Sequence, residues 1–490
     1  MNFDRRKFLN RTVQAALGAS VYSAFGNLQL VRAAAQANYS FGDYKALVCV
    51  FLYGGNDAFN LVVPTDATHY AQYQAVRPTI ALAKNTLLAL NAPASGAGSP
   101  GDGGSYGFHS SMPELQALFN QANSPVGIVA NVGTLVRPVT KAQYQGGSVA
   151  LPPQLFSHND QQAYWQSSPP SNAPSTGWGG RICDLLASVN TSALPMLNSL
   201  AGEDAFIRGD SGNNYIMNPD SAATIDAPDS WDDNANNLQS AFDALRASGT
   251  QANALERTYA AQMNHSIETA AQINAAINAA TSAATSPPAK PPFESFFPNI
   301  SDGDLDRQLC TVAKLIWAAN NNVTGYTGQK RQVFFVSTGG FDTHDNELPV
   351  QQGLFGVLSK SLAGFYNALN KYGLASTATA FTASDFGRTL SCNEDGTDHG
   401  WASHHLVVGG AVKGGKFYGD NLAGTGTAAM PSLALSASNP NDAGYGQMIP
   451  TTSVDQYSAT LASWFGLGAS DIALLFPNLA NFTMRNLGFV

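Results

Sequence analysis

The sequence is poor in charge, and this shortage excludes one class of partner. Only 12% of its 490 residues are Asp, Glu, Lys or Arg, and the net charge is −9. Beyond residue 35 the chain has no run of Lys or Arg. Affinity for nucleic acid comes mainly from basic side chains that contact phosphates. We therefore expect no nucleic-acid partner.

Cysteine is also scarce, and the spacing of the four cysteines excludes a familiar metal site. No two of them stand in a C-x-x-C pattern, which argues against a zinc site built from thiolates. One or two disulfides could form in an oxidising compartment, although spacing does not give the pairing. Cys49 lies within an apolar stretch, so we expect it to be a buried free thiol. The four are Cys49, Cys183, Cys310 and Cys392.

The first 35 residues have the layout of an export signal. Asp4-Arg5-Arg6-Lys7-Phe8-Leu9-Asn10 is the pattern that the twin-arginine translocase recognises, and small residues at 33–37 offer a cleavage site. An ordinary amphipathic helix is the alternative interpretation. The segment is too short and too polar for a stable membrane span. We expect a periplasmic or extracellular protein with no integral span after removal of the signal.

The remaining 36–490 alternates between predicted strands and predicted helices. Apolar runs without polar alternation indicate strands that are buried on both faces. Helical spacing of apolar residues falls between them, so we predict an α/β fold with a doubly wound, mostly parallel sheet between helix layers. Residues 190–300 are predicted as a mainly helical insertion. The predicted strands are 46–53, 126–132, 332–337, 377–384 and 406–408, and the predicted helices are 113–123, 302–320 and 350–372.

Acids and histidines follow several of these strands. A single Asp after a strand is more often a helix N-cap. Parallel strands, however, place their carboxyl ends at one sheet edge, where α/β proteins build their sites. Carboxylate and imidazole together suit zinc or manganese, with calcium also possible. The predicted metal ligands are Asp57, Asp342, His344, Asp385, Asp398 and His399.

Three further residues are candidates for catalysis. Ser157 could cap a helix, or it could be a nucleophile at a helix N-terminus, where an anion also binds well. His158 could serve as a general acid or base. Arg388 could hold a phosphate or sulfate through forked hydrogen bonds, or it could form a surface salt bridge.

Several longer stretches resemble a known family. They are LVCVFLYGGNDAFNLVVP (47–64), FSHNDQQAYW (156–165), FFVSTGGFDTH (334–344), TASDFGRT (382–389) and GTDHGWASHHLVVGGAVKGGKFYG (396–419). The chain resembles the domain-of-unknown-function 1501 family of exported, sulfatase-like bacterial proteins. That family is similar to the alkaline phosphatase superfamily, which implies a doubly wound fold with a metal site at the carboxyl ends of strands.

The resemblance also implies roles for individual residues. The superfamily's first-strand metal ligand looks like Asp57, its nucleophile falls near Ser157, and its last histidine looks like His399. Two positions depart from its pattern. The histidine that should stand four residues after Asp342 is two residues on, at His344.

The second departure affects a metal ligand directly. The superfamily's Asp-His pair looks like Asp385 followed by Phe386, and a phenyl ring cannot bind a metal. The protein could then hold one metal, or use Asp398 or His158 instead.

Together these features predict an exported metal-dependent hydrolase of phosphate or sulfate esters, acting on a small-molecule or glycan ester. The metal would polarise the ester. The alternative is a non-catalytic exported protein of the same fold that binds an envelope glycan or a protein partner. Phe386 and the shifted histidine favour that alternative.

Overall fold

The structure is a computed structural model that describes most of the chain. It covers residues 39–168, 176–211, 214–224, 235–247, 249, 251, 253–283, 290–301, 303–420 and 430–490. The predicted export signal, 1–35, lies outside the described residues. No helix in the described ranges combines the length and apolarity needed to cross a membrane.

A mixed, mostly parallel sheet of nine strands forms the centre of the described residues. Its order is β13–β5–β12–β9–β1–β8–β6–β7, with β14 paired to β5, and only β12 runs antiparallel to its neighbours. The strands are β1 (Lys45–Leu52), β5 (Val126–Gly133), β6 (Leu197–Ser199), β7 (Asn214–Ile216), β8 (Arg331–Thr338), β9 (Ala378–Ser384), β12 (Ser403–Val408), β13 (Lys416–Tyr418) and β14 (Thr452–Ser453).

Two smaller sheets lie beside the central one. One is three-stranded, and the other is a two-stranded ribbon in which Arg388 pairs with His399. The ribbon was not predicted, because its strands are short and polar. The strands are β2 (Val62–Pro64), β3 (Leu88–Ala89) and β4 (Tyr106–Phe108), then β10 (Arg388–Cys392) and β11 (Thr397–His399) in the ribbon.

Helices cover both faces of the central sheet. Alternate residues of β1 contribute to opposite cores: Val48 and Val50 pack in one core, and Cys49 and Phe51 in the other. This burial on both faces explains the unbroken apolar run. The described helices are α1 (Ala58–Leu61), α2 (Ala67–Val76), α3 (Pro113–Asn120), α4 (Lys141–Gly146), α5 (His158–Ser167), α6 (Trp178–Leu185), α7 (Ala235–Arg246), α8 (Ala254–Ala283), α9 (Asp304–Asn320), α10 (Glu347–Lys371), α11 (Val454–Phe465) and α12 (Ala469–Leu475).

The α/β architecture with a mostly parallel sheet between helices is confirmed. All five predicted strands are present, and the last one is antiparallel. The segment 190–300 contains the helices α7 and α8, but it also supplies β6 and β7 to the central sheet. All four cysteines are free thiols, and Cys49 is buried as expected.

Candidate metal centre

Four chain segments meet at the carboxyl ends of the central strands. Asp385 directly follows β9, and Asp342 lies in the loop after β8. His158 is the first residue of α5, and His399 is the last residue of β11. The parallel alignment of β1, β8 and β9 places these strand ends together, as the sequence predicted for the edge of the sheet.

The core of the site is a trio of His158, Asp342 and His399. One ligand atom from each lies within 4.8 Å of the others. Nε2 of His158 is 3.4 Å from Oδ2 of Asp342, and Nε2 of His399 is 3.2 Å from Oδ1. Atoms bound to one zinc ion at about 2.0–2.2 Å lie about 3.3–3.5 Å apart in a tetrahedron. These two spacings are close to that range, and because they involve different oxygens of Asp342, a shared ion would lie between the two oxygens.

The opposite nitrogen of each histidine faces a hydrogen-bond acceptor. Nδ1 of His158 is 2.6 Å from Oδ2 of Asp385, and Nδ1 of His399 is 2.8 Å from the carbonyl oxygen of Phe156. A carboxylate and a carbonyl only accept, so each Nδ1 must carry a hydrogen. In the neutral His399 ring, Nε2 then carries a lone pair directed towards Asp342. Metal-binding histidines are commonly oriented in this way.

His344 lies on the exposed side of the trio. Its Nε2 is 3.1 Å from Oδ1 of Asp342 and 2.9 Å from Nε2 of His399. Its Nδ1 is 3.4 Å from Oδ1 of Asp398, whose side chain is 62% exposed. His344 could thus be an additional ligand, with Asp398 as its outer partner.

Arg388 stabilises the ionised form of Asp342. The side chain of Arg388 is fully buried, and Nη1 donates to Oδ1 of Asp342 at 2.6 Å. Burial raises the pKa of Asp342, but the hydrogen bond and the charge of Arg388 outweigh it, so the pKa lies below its ordinary value. Burial lowers the pKa of His399, which keeps its ring neutral at pH 7. Asp342 and His399 therefore present a carboxylate and an unprotonated imidazole.

Arg388 is not exposed to a substrate. Its Nε donates to Oγ1 of Thr397 at 3.1 Å, its Nη2 donates to the carbonyl oxygen of Thr397, and its Nη1 also contacts the carbonyl oxygen of Gly54. These bonds direct the guanidinium inwards. The expected role of Arg388 in holding an anion does not fit this placement, because its donors are used within the protein.

Two glycines allow the segments to approach. At Gly54, where φ is +115°, an added Cβ would lie 2.4 Å from the backbone nitrogen of Asp342. At Gly55, where φ is +89°, it would lie 2.6 Å from the ring of Phe386. Any side chain here would separate β1 from the site. The Gly-Gly pair is thus required for the close packing of the centre.

Phe386 forms an apolar wall beside the histidines. Its side chain is buried, and its ring centroid lies 4.8 Å from that of His158 and 4.6 Å from that of His399. It adds no ligand, but it restricts the positions of both imidazoles. His158, from a different segment, supplies an imidazole in this region, which was one of the two substitutes considered from the sequence.

Asp57 lies apart from the trio. It caps α1 through the backbone nitrogen of Phe59, and Arg77 donates to both of its oxygens, at 2.6 and 2.8 Å. Gln351 donates to the same carboxylate at 3.3 Å. The Asp57 side chain is fully buried, so the structure places this predicted ligand in a core ion pair rather than at the metal centre.

Ser157 is the N-cap residue of α5, but it makes no side-chain cap bond. Its Oγ donates to Oδ2 of Asp160 at 2.6 Å. The hydroxyl therefore has a partner within its own helix turn, while the adjacent His158 belongs to the trio.

Three groups that contribute hydrogen bonds to the site were not predicted from the sequence. Gln162 donates to Oδ2 of Asp385 at 2.8 Å, and it lies one helical turn after His158. This i, i+4 spacing was visible in the sequence. The carbonyl of Phe156 and the hydroxyl of Thr397 had no such signal, because their roles depend on how α5 and the ribbon pack.

Comparison with known proteins identifies the family. The model of the family described as "Protein of unknown function (DUF1501)" matches residues 44–431. The chain belongs to the DUF1501 family. This confirms the resemblance to the DUF1501 family itself, and the match includes every residue of the trio. No curated protein matches the sequence.

In this DUF1501 protein the donor set has the chemistry of a divalent-cation site. Neutral imidazole nitrogens and an ionised carboxylate are typical ligands for zinc and related transition metals. His158 and Asp342 are 30% and 44% exposed in their side chains, so the site faces solvent. Such access is what a catalytic metal requires, since it keeps a position for water or substrate.

Proposed function

We propose that this protein is an exported, metal-dependent hydrolase of phosphate or sulfate esters. A divalent ion, zinc or manganese, would be held by His158, Asp342 and His399, with His344 as a further ligand. The substrate would be a small-molecule or glycan ester. Export would follow the twin-arginine route, which suits a protein that must fold before it crosses the membrane.

One observation carries the proposal. Nε2 of His158 and Nε2 of His399 face the oxygens of Asp342 at 3.4 and 3.2 Å. His399 is neutral at pH 7 because burial lowers its pKa, so its Nε2 carries a lone pair. Acceptor atoms at such distances repel one another unless a proton or a cation lies between them. A divalent cation bound between His399 and Asp342 would remove this repulsion.

Each residue has a defined task in this proposal. A bound cation would polarise the ester and make a coordinated water more acidic. Asp385 and the Phe156 carbonyl hold the two imidazoles in the correct tautomer, and Arg388 holds Asp342 in its ionised form. The N-terminus of α5, whose first backbone N–H groups have no partner within the helix, would help to bind the ester's anionic group.

The fold supports the proposal in a general way. A mostly parallel sheet with acids and histidines at the carboxyl ends of its strands is the arrangement expected of an alkaline phosphatase-like protein. We propose that likeness together with the activity. Because a fold does not determine chemistry, the site must be tested directly.

The first experiment measures metal and turnover together. Purified protein should contain about one equivalent of zinc or manganese per chain, and it should hydrolyse an aryl phosphate or an aryl sulfate. His399→Ala should lose both properties. His265→Ala is the matched control, because His265 is an exposed histidine on α8. A wild-type protein without bound metal, and without turnover after zinc or manganese is added, would refute the proposal.

A second variant separates two routes of hydrolysis. Ser157→Ala should retain most of the activity if a water attacks the ester, and the Ser157–Asp160 hydrogen bond favours that result. A loss of turnover with unchanged metal content would instead indicate a seryl intermediate. Burst-phase kinetics with the aryl ester would then show which step is affected.

The alternative function is a non-catalytic, metal-holding protein that binds an envelope glycan or a protein partner. The buried Arg388 favours it, because the nearby guanidinium does not reach a substrate anion. Bound metal without turnover of either ester class, combined with binding to cell-envelope glycans, would support this function over hydrolysis.

A further inference from the structure

A buried polar chain leads from the metal centre into the core. Arg388, which holds Asp342, donates through Nε to Oγ1 of Thr397 at 3.1 Å. The same hydroxyl donates to Oε2 of Glu347 at 2.6 Å. Arg388, Thr397 and Glu347 are all buried. Thr397 thus joins a residue of the ribbon to the first residue of α10.

Glu347 in turn belongs to the cluster around Asp57. Its Oε1 lies 3.4 Å from Nδ2 of Asn60 and 3.9 Å from Nη1 of Arg77. Arg77 also donates to the carbonyl oxygens of Thr389 and Leu390, both at 2.8 Å. These two carbonyls lie in β10. The core ion pair therefore holds one strand of the ribbon, while Glu347 holds the other through Thr397.

This chain fixes the orientation of Asp342, which contacts only its first member, Arg388. A guanidinium is planar, so the direction of Nε sets the direction of Nη1. Removal of the Thr397 hydroxyl would leave Nε of Arg388 buried without that partner, and the plane could rotate. The bonds to the carbonyl oxygens of Thr397 and Gly54 would remain, so we expect the guanidinium to tilt and Nη1 to shift relative to Asp342. Outer partners of this kind commonly change metal affinity 10- to 100-fold.

We propose that Thr397 and Glu347 are positioning residues that hold Arg388, and through it Asp342, in the geometry needed for cation binding. This inference rests on the proposed metal centre, but it does not require that the protein hydrolyse esters. The inference also assigns a role to the buried Asp57–Arg77 pair, because Arg77 holds β10 of the ribbon that carries Arg388 and His399.

The test measures zinc affinity by competition with a chelator of known affinity. It compares the wild type with Thr397→Val, Thr397→Ser and Thr379→Val. Thr397→Val keeps the shape of the side chain but removes the hydroxyl, and we expect about a tenfold weaker affinity. Thr397→Ser should restore most of it. Thr379→Val is the matched control, because Thr379 is also a buried strand threonine and its Oγ1 has no hydrogen-bond partner in the described structure.

A purely structural role would give a different result. Thr397→Val would then be less stable to urea, but the folded protein would bind zinc as the wild type does, and this would overturn the inference. Glu347→Met is the second variant, in case Thr397→Val does not fold; it removes the acceptor of the Thr397 hydroxyl, and we expect it to bind zinc several-fold more weakly. Unchanged zinc affinity in folded Glu347→Met would also contradict the inference.

The outcomes separate this inference from the proposed function. Weaker zinc binding by Thr397→Val, in a protein that turns over no ester, would support the positioning role and refute hydrolysis. If Thr397→Val binds zinc as tightly as the wild type, and the wild type hydrolyses an ester, the positioning role would be refuted and hydrolysis supported. A wild-type protein that binds no metal would overturn both.

Discussion

Among the described residues, two buried arginines each bind an aspartate at the same end of the sheet, and the two pairs differ in the exposure of the aspartate and in how many of its oxygens the arginine binds. Arg77 and Arg388 are both fully buried, and each places a nitrogen 2.6 Å from a carboxylate oxygen. Asp57 is fully buried as well, and Arg77 binds both of its oxygens. Asp342 is 44% exposed, and Arg388 binds only one of its oxygens.

That difference separates a structural pair from a candidate site. A carboxylate whose oxygens are both bound by arginine in the core has little capacity left for a cation. Asp342 keeps lone pairs that face three imidazoles and solvent. Exposure and unused acceptors, rather than residue type, therefore distinguish the candidate metal centre from the core. Four predictions test this contrast, from the largest expected effect to the smallest.

The largest effect should come from Asp57→Ala. It leaves Arg77 charged and buried without its partner, which typically costs about 3–5 kcal/mol in the free energy of unfolding. Urea denaturation of the metal-free protein would measure it. Asp342→Ala is the comparison, and it should cost less, because removal of this 44% exposed carboxylate lets water reach the Arg388 guanidinium. Equal destabilisation by the two variants would contradict the distinction between them.

Asp385→Asn should act mainly on the metal. Asp385 is the carboxylate partner of His158, so the loss of its charge should weaken zinc binding about 10- to 100-fold. Competition with a chelator would measure the change. Asp304→Asn, at a 75% exposed side chain on α9, is the control and should bind zinc as the wild type does. Unchanged affinity in Asp385→Asn would mean that His158 needs no charged partner.

The two clusters should also respond to pH with opposite sign. Burial, and then the charge of Asp57, raise the pKa of Glu347 to about 8. The folded state therefore keeps a proton that the unfolded state releases above about pH 4.5. This contribution is complete at low pH and is lost as the pH rises towards 8. The pKa of Asp342 is lowered, so its contribution is lost as the pH falls.

Glu347→Gln should remove the loss of stability that deprotonation of Glu347 causes as the pH rises. Between about pH 5 and pH 8 we expect the wild type to lose on the order of 1–2 kcal/mol relative to the variant. The upper limit for one proton is about 1.4 kcal/mol per pH unit, and entry of water into the cluster reduces it. Urea midpoints at several pH values would show the difference. Parallel curves for the two proteins would argue against a protonated Glu347.

The smallest effect should come from Asp398→Ala. Asp398 is 62% exposed and lies 3.4 Å from Nδ1 of His344. Exposed ion pairs contribute less than about 1 kcal/mol, so zinc affinity should change by less than about fivefold. The same chelator assay would measure it. A loss as large as that of Asp385→Asn would show that His344 is a central ligand.

The sequence predicted the architecture well because the strands are buried on both faces. An unbroken apolar run such as 46–53 has few other interpretations when helical segments alternate with it. The antiparallel direction of β12 was not predictable, because apolar content does not encode strand direction. The ribbon β10–β11 was also missed, since strands of five and three mostly polar residues give no clear period.

The residues that could form a site were visible in the sequence, but their grouping was not. Seven of the nine predicted site residues lie in or against the cluster around Asp342. Asp57 follows a strand as the others do, yet Arg77, twenty residues later, binds it in the core. Whether an acid faces solvent or an arginine depends on packing between distant segments, which a single sequence does not reveal.

The sequence by itself determined the α/β class, the family and the set of acids and histidines at strand ends. These follow from local apolar patterns and from motifs that are continuous along the chain. The tertiary structure alone decided which nitrogen of each histidine faces Asp342, and which of two aspartates is left open. Those choices depend on hydrogen bonds between residues such as His158 and Asp385, which lie 227 positions apart.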